Sequence, residues 1–264
     1  MIDTTVAHPS RMYDYLLGGV DHFAVDRAAV DAAADTVGGI DNAKATIRAN
    51  RDFLIRAVRY LASEAGIRQF LDIGTGIPNA DNVHGIAQQV APASRIVYVD
   101  NDPIVLAHAH TLLRSSPEGA TSYVFGDLRN PDDIVREATA TLDFAQPVAV
   151  VLVAILHFFP DTDDPYSIVD RLLDAVPSGS YLALSHLASD IQPDEMAALA
   201  KRYADDETIQ EAFVMRSHAE VCRFFAGLDV IEPGVAPLDV WCPPQDPRTD
   251  GWQNPIWGGI GRKP

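Results

Sequence analysis

The chain is short of cysteine, of lysine and of long apolar runs, and each shortage removes a class of protein. Only two cysteines occur in 264 residues, Cys222 and Cys242, in no Cys-x-x-Cys pattern, so neither a disulfide framework nor a cysteine-based zinc site is expected. They read as unpaired thiols of a cytoplasmic protein. The longest apolar stretch, Val148 to Leu156, is too short to span a bilayer, and Met1 to Ser10 lacks the basic and apolar regions of an export signal. Three of the twenty basic residues are lysine (Lys44, Lys201 and Lys263), and 37 acids outweigh them for a formal charge of −17. A field of that sign repels phosphate backbones and anionic lipids, which counts against nucleic acid and membrane as partners. The preference for arginine, with abundant alanine, fits a GC-rich bacterial genome.

What is present suits one folded α/β domain covering residues 1–264. Apolar residues make up 47% and charged residues 22%, with no low-complexity tract or internal repeat. Short β-prone runs alternate with capped helical stretches, the pattern of a parallel sheet with crossover helices. The predicted strands are Gln69 to Ile73, Arg95 to Asp100, Ser122 to Gly126, Val148 to Leu156, Ser180 to His186, Leu228 to Ile231 and, weakest, Trp257 to Gly261. From Ala43 to Ala65 the residues Leu54, Val58 and Leu61 share a helical face, and Gly66 can end that helix. Asp102-Pro103, Asn130-Pro131 and Asp164-Pro165 mark helix starts, as does the capping box Ser217-His218-Ala219-Glu220, whose helix Gly227 closes. Residues 1–65 form an N-terminal cap and a lead-in helix ahead of a core at residues 66–264.

Chemistry concentrates at three successive strand ends. Phe70-Leu71-Asp72-Ile73-Gly74-Thr75-Gly76-Ile77-Pro78 passes from a buried strand into a glycine turn, where open parallel sheets bind ligands. An acid at Asp72 repels a dinucleotide pyrophosphate but accepts from the amino group of a methionyl moiety, so a sulfonium nucleoside is favoured over NAD. Asp100, twenty-four residues after Gly76, can accept from two ribose hydroxyls, with Asn101 beside the adenine. Asp102 has a competing duty as a helix cap. Asp127 and Leu128 end the next run, offering an acceptor for the adenine amino group and an apolar contact for its ring.

With Asp72-x-Gly74-x-Gly76, Asp100 and Asp127 in that order, residues 66–190 resemble a class I S-adenosylmethionine-dependent methyltransferase. Over nearly the whole chain, Ser10 to Gly19, Ala49 to Leu54, Asp72 to Pro78, Asn82-Val83-His84 and Trp257 to Pro264 resemble a bacterial methyltransferase family long catalogued as a domain of unknown function. The resemblance implies a Rossmann-like, seven-stranded, mostly parallel sheet with helices on both faces, its last strand antiparallel at Trp257 to Gly261. It implies S-adenosyl-L-methionine as cofactor, held by Asp72, Gly74, Thr75, Gly76, Asp100, Asn101, Asp127, Leu128 and Ala154. Pro78 departs from the superfamily, where a third glycine is usual; proline lacks an amide hydrogen, which is dispensable at a helix start.

The acceptor is expected to be a small molecule, and methyl transfer in line to it needs positioning and desolvation more than a fixed triad. In methyltransferases the segment after the fourth strand lines the transfer site, which makes His157 the first candidate base; the competing reading is a histidine packed among Phe158 and Phe159. The sequence Ala154-Ile155-Leu156-His157 lacks the Asn-Pro-Pro-Tyr type of motif seen in members that methylate amide or base nitrogens. Tyr13, Tyr15, Asp21 and His22 in the cap can close over the acceptor, and Asn50 and Arg51 can reach the cofactor carboxylate. No metal site is expected: His84, His108, His110, His186 and His218 are scattered, and Asp161 to Asp164 reads as a helix cap. An NAD-dependent oxidoreductase and a non-catalytic binder of the same cofactor are the alternative functions.

Overall fold

The computed structural model describes residues 3–78, 82–105, 115–243 and 251–264. Three helices lead, α1 (Pro9–Leu17), α2 (Ala24–Ala34) and α3 (Ile40–Ser63), the last beginning three residues before its expected start. Then β1 (Gln69–Ile73), α4 (Val83–Val90), β2 (Arg95–Asp100), β3 (Ala120–Phe125), α5 (Pro131–Ala138), β4 (Ala149–Val153) and α6 (Pro165–Asp174) follow in alternation. The chain closes with β5 (Tyr181–Leu187), α7 (Pro193–Ala204), α8 (His218–Arg223), β6 (Asp229–Val230), β7 (Ala236–Pro237), α9 (Leu238–Trp241) and β8 (Ile256–Arg262).

Eight strands form one sheet in the order β3-β2-β1-β4-β5-β8-β6, with β7 also on β8. Strands β1 to β5 pair in parallel, and β8 is antiparallel to β5, β6 and β7. The period of two along each strand divides the core. Leu71, Val97, Val150 and Leu182 face a layer built on α5, α6 and α8, whereas Phe70, Ile96, Val151 and Ala183 face α3, α4 and α9. Strand β1 pairs with β2 on one side and β4 on the other, so the order reverses there and leaves a crevice above its carboxyl end.

Four expectations change. The seven strands become eight because the partner of β8 is broken: β6 covers its Gly261–Arg262 end and β7 its Trp257–Gly258 end, joined by a turn in which the Gly234 N–H donates to Ile231 O at 2.8 Å. Strand β4 stops at Val153, because Ala154 takes a left-handed φ of 56° and its N–H leaves the ladder for the Ser185 hydroxyl, 3.0 Å away. Asn130 makes no side-chain cap on α5; its carbonyl accepts from Asp133 and Ile134 instead. Pro78 does not open a helix, since α4 begins at Val83. The glycine content of β8 has a packing cause: a Cβ at Gly258 would lie 2.5 Å from Leu238, and one at Gly259 2.8 Å from Phe225.

The N-terminal helices close over the carboxyl ends of the strands around a small core of Met12, Ala29 and Val30. Asp26, fully buried, organises them. It pairs with Arg11 at 2.9 Å and accepts the N–H groups of His8 at 2.9 Å and Phe23 at 2.7 Å. The Ala7 N–H donates to Thr208 O at 2.9 Å, tying the segment to the chain beyond α7. Asp26→Ala leaves a buried guanidinium unpaired, a loss of about 3 kcal/mol or more. We expect the amides of α1 and α2 to exchange hydrogen far faster in this variant while β1, β4 and β5 keep their protection; unchanged protection of α1 and α2 would show that Asp26 does not hold the cap.

Candidate functional site

Beyond Ile73 the chain turns through Gly74 (φ 75°) and Gly76 (φ 67°), a backbone region that side chains with a Cβ avoid. The N–H groups of Gly74 and Thr75 donate to Val99 O at 2.8 and 3.3 Å. A Cβ on Gly74 would lie 2.7 Å from Ile155, so the glycine turn is pressed against the exit of β4. Asp100 locks the next loop to it, one carboxylate oxygen accepting from Gly76 N–H at 2.8 Å and the other from Asp102 N–H at 2.9 Å. Burial raises the Asp100 pKa, and those two N–H groups oppose the rise. Asp72 is buried too. Desolvation, with a contribution from the nearby Asp100 charge, pushes it up to about 7 against the pull of the Arg51 guanidinium.

These groups share a cavity of about 670 Å³, within the range of about 300–1,000 Å³ for small-molecule sites. Asp72, Gly74, Thr75, Gly76, Asp100, Asn101, Leu128 and Ala154 all line it. So do Tyr13, Asn50, Arg51 and His157. Asp127 does not; its carboxylate turns back to accept the Arg129 N–H at 2.9 Å and faces the Arg129 guanidinium at 3.4 Å. Tyr15 and His22 also stand outside the lining, edge to face with centroids 5.0 Å apart, Tyr15 bonded to Asp31 and His22 to Arg27. Asp21 is absent from it as well, its N–H given to Asp14. Tyr15, Asp21, His22 and Asp127 thus stand apart from the cavity lining here, each engaged by other residues of the cap and loop.

A hydrogen-bonded chain crosses the floor of the cavity. Asn50, fully buried, donates to the Tyr13 hydroxyl at 2.9 Å and accepts from Ser185 Oγ at 2.6 Å, and Ser185 accepts from Ala154 N–H. Past Ala154 the chain makes a 3-10 turn, Leu156–Phe158, that carries His157. His157 is buried with Nδ1 unpaired; burial, then His186 and Arg216, depresses its pKa well below the usual imidazole range. Such a ring rests neutral, and it lines the cavity beside the β4 exit, where the sequence placed its first candidate base.

Arg216, missed in the sequence, fixes this turn. Fully buried, it donates to Leu156 O at 3.1 Å, Phe159 O at 2.9 Å, Asp161 at 2.7 Å and His186 Nε2 at 2.9 Å. His186, its pKa lowered to about 4 chiefly by burial, meets Leu187 O through Nδ1, which defines the neutral tautomer with Nε2 as acceptor. Asp161 and Asp163 thus serve arginines, Arg216 and Arg129, while only Asp164 caps α6. Asp102 caps the turn after β2 through Ile104 N–H at 2.8 Å and faces His8 at 3.2 Å. Among the described residues no group of three His, Cys, Asp or Glu could hold a metal; His108 and His110 lie outside them.

A glycine turn flanked by two buried carboxylates at the switch point of a mostly parallel sheet, with an arginine charge in the same cavity, defines a Rossmann-like protein for a nucleoside with a zwitterionic tail. The carboxylates oppose a pyrophosphate. Residues 1–264 match the family model described as S-adenosyl methyltransferase. A DUF574 family protein from Streptomyces avermitilis is 46% identical, with a TM-score of 0.92 and 100% of each chain covered. A candidate methyltransferase from Thermobifida fusca is 36% identical, with a TM-score of 0.88, covering 99% of this chain and 96% of that one. An S-adenosylmethionine-dependent methyltransferase from Anabaena variabilis, 13% identical with a TM-score of 0.51 over 77% of this chain and 80% of its own, shares the fold. No curated protein matches the sequence.

The chain belongs to the S-adenosyl methyltransferase family, and its cofactor is S-adenosyl-L-methionine.

The raised pKa of Asp72 has a consequence for stability. Its native carboxyl holds a proton more tightly than the unfolded chain does, so the stability it contributes is full below pH 3.8 and is lost as pH rises through about 7. Asp72→Asn keeps the shape without the charge. The variant should be about 4 kcal/mol more stable than the parent at pH 8 and close to it at pH 4. Urea titrations at the two pH values test this, and a less stable variant at pH 8 would mean that the ionised carboxylate is fully compensated.

Proposed function

We propose that this methyltransferase acts on a small-molecule acceptor, with its cofactor held along the β1–β2 side of the cavity and the acceptor beneath the N-terminal helices. The observation that carries the reading is the pairing of Asp72 and Asp100 at adjoining strand ends around the Gly74–Gly76 turn, with Arg51 in the same cavity. In this reading Asp72 accepts from the cofactor's ammonium group, Arg51 takes its carboxylate, and Asp100 accepts from the ribose hydroxyls. Gly74, Thr75 and Gly76 let the backbone approach, and Asn101 and Leu128 flank the adenine. When bound, the cofactor supplies an electrophilic methyl group on a sulfonium sulfur.

The chain's own contribution is position and dryness. Tyr13, Asn50 and Ser185 hold Ala154 and the start of the β4 exit, and Arg216 holds its far end, so the wall beside the reacting atoms has little freedom. His157, neutral and buried, orients the acceptor and takes no large share of proton removal. The free thiols Cys222 and Cys242 suit a reducing compartment, and we place the chain in the cytoplasm; recovery in an extracellular fraction would contradict this.

Calorimetry with S-adenosylmethionine, S-adenosylhomocysteine and NADH tests the site. Heat with the first two is expected, strengthening from pH 6 to pH 8 as Asp72 ionises through about 7; heat with NADH alone would overturn the reading. Asp100→Ala should weaken both nucleosides by about 10- to 100-fold, the loss typical of hydrogen bonds to a charged group. His157→Ala is expected to keep cofactor affinity and to slow turnover by about 10- to 100-fold through poorer positioning, without altering the shape of the pH profile. Unchanged turnover would return His157 to a packing role, and the absence of methyl transfer to any component of a metabolite extract would favour a binding protein.

A further inference from the structure

The cavity has two unlike ends. Its charged lining residues are Asp14, Arg51, Asp72, Asp100, Arg129 and Glu211, together with His8. Arg51, Asp72 and Asp100 act on one another at the glycine turn. Of the others, Asp14 accepts from Asp21 N–H at 2.8 Å and Arg129 pairs with Asp127 and Asp163, whereas Glu211, 4.0 Å from His8 and two residues before Phe213, keeps one buried carboxylate oxygen, Oε2, without a hydrogen-bond partner. On the other side, beneath α1, α2 and α7 and against the exits of β4 and β5, the wall is apolar. Leu17, Val30, Val37, Ile47, Leu199 and Phe213 form it, and none of the charged groups above belongs to α2 or α7. Phe213 stacks on Tyr203 at 3.9 Å and meets the His157 ring edge to face at 5.7 Å, so the apolar wall runs up to the β4 exit.

Resting on the function proposed above, we infer that this chamber takes an uncharged or cationic, largely apolar acceptor and excludes anions of the same size. An anion entering it finds, among the described residues, no cation beyond those committed at the glycine turn and to Asp127 and Asp163, and it meets the Glu211 carboxylate. It loses its hydration without a partner, which outweighs the gain from burying its apolar part. A cation can pair with Glu211 Oε2. The net charge of −17 adds a long-range penalty for anions. An uncharged ring or chain gains from contact with the apolar wall.

Three probes with one ring system test this on the full chain: 1-naphthol, 1-naphthoate and 1-naphthylmethylamine, each titrated at pH 7.5 by intrinsic fluorescence with S-adenosylhomocysteine present. Naphthol and the amine should each bind at least about tenfold more tightly than naphthoate, the discrimination that unpaired burial of a charge imposes. Leu199→Arg should reduce the preference for naphthol over naphthoate by about tenfold, strengthening naphthoate and weakening naphthol. S-adenosylhomocysteine affinity of the same variant, measured by calorimetry, should stay within about threefold and shows that the chain is folded. Naphthoate binding as tightly as either of the other two, or an unaltered preference in Leu199→Arg with S-adenosylhomocysteine still bound, would overturn the chamber inference alone. Failure of the parent chain to bind S-adenosylhomocysteine would overturn the function on which it rests.

Discussion

Asn50 is the one polar side chain on α3 that sits at full burial between the cap, the sheet and the strand exit beside the proposed methyl site. Its amide joins a hydroxyl from α1, Tyr13, to a hydroxyl from β5, Ser185, and through Ser185 reaches the backbone of Ala154. Each link satisfies a group that would otherwise be buried without a partner, and leaving such a group unmade costs about 1–3 kcal/mol. The left-handed turn at Ala154 is the outcome. A non-glycine residue takes that conformation when its surroundings over-determine it, and here the Ser185 hydroxyl captures the N–H that would have continued the ladder of β4. Strand exit, glycine turn and cap are thereby set in one register, because Ile155 packs where a side chain on Gly74 would have been.

The electrostatics of the site follow from the same geometry. Drawing β1 and β2 together at the switch point buries Asp72 and Asp100 near each other, and both carboxyl groups are harder to ionise than in water. A protein stabilised only for its own sake would replace one of them. Retaining both makes sense if a ligand supplies the missing positive charge, which is the condition that favours an ammonium-bearing nucleoside over a phosphate-bearing one. Behind the β4 exit the buried guanidinium of Arg216, outside the cavity lining, is taken up by carbonyls and by Asp161. The two ends of the cavity therefore differ in kind, one charged and short of a cation, the other walled mainly by apolar side chains, with the Glu211 carboxylate beside them.

The sequence was most legible where a period or a backbone demand is local. β1 and β2 are short, largely apolar runs that carry an acid at or next to their carboxyl ends, and their observed limits coincide with the expected ones. Their position before a glycine turn also exposed Asp72, Gly74, Gly76 and Asp100, all of which line one cavity. Legibility failed where a residue's role depends on a partner far along the chain. Asp127 follows a strand as Asp72 and Asp100 do, yet Arg129, two residues on, claims its carboxylate. Arg216 looks like any surface arginine, and only the return of the chain past Leu156 and Phe159 buries it. A signal for Ser185 was available: a serine hydroxyl in the middle of Tyr181–Leu187, a strand buried on both faces, needs a partner. The division of β6 and β7 had none, since it reflects how the turn through Gly234 lies against an antiparallel strand rich in glycine.

Those failures share a physical cause that bears on how such a site can change. The cofactor end is built from main-chain geometry and from acids within a few residues of it, so altering it disturbs the loop as well as the ligand. The proposed acceptor end is lined by side chains of α1, α2, α3 and α7, and Met12, Val30 and their neighbours form a small core separate from the two large ones beside the sheet. Substitutions there add or remove volume without touching the ladder of β1, β2 and β4. Distant, non-contacting sites contribute to stability nearly independently, so the wall under the cap is free to vary while the glycine turn is not. A catalytic scaffold divided in this way can hold its methyl donor constant and exchange its acceptor, with Ala154 and the β4 exit as the fixed boundary between the two halves.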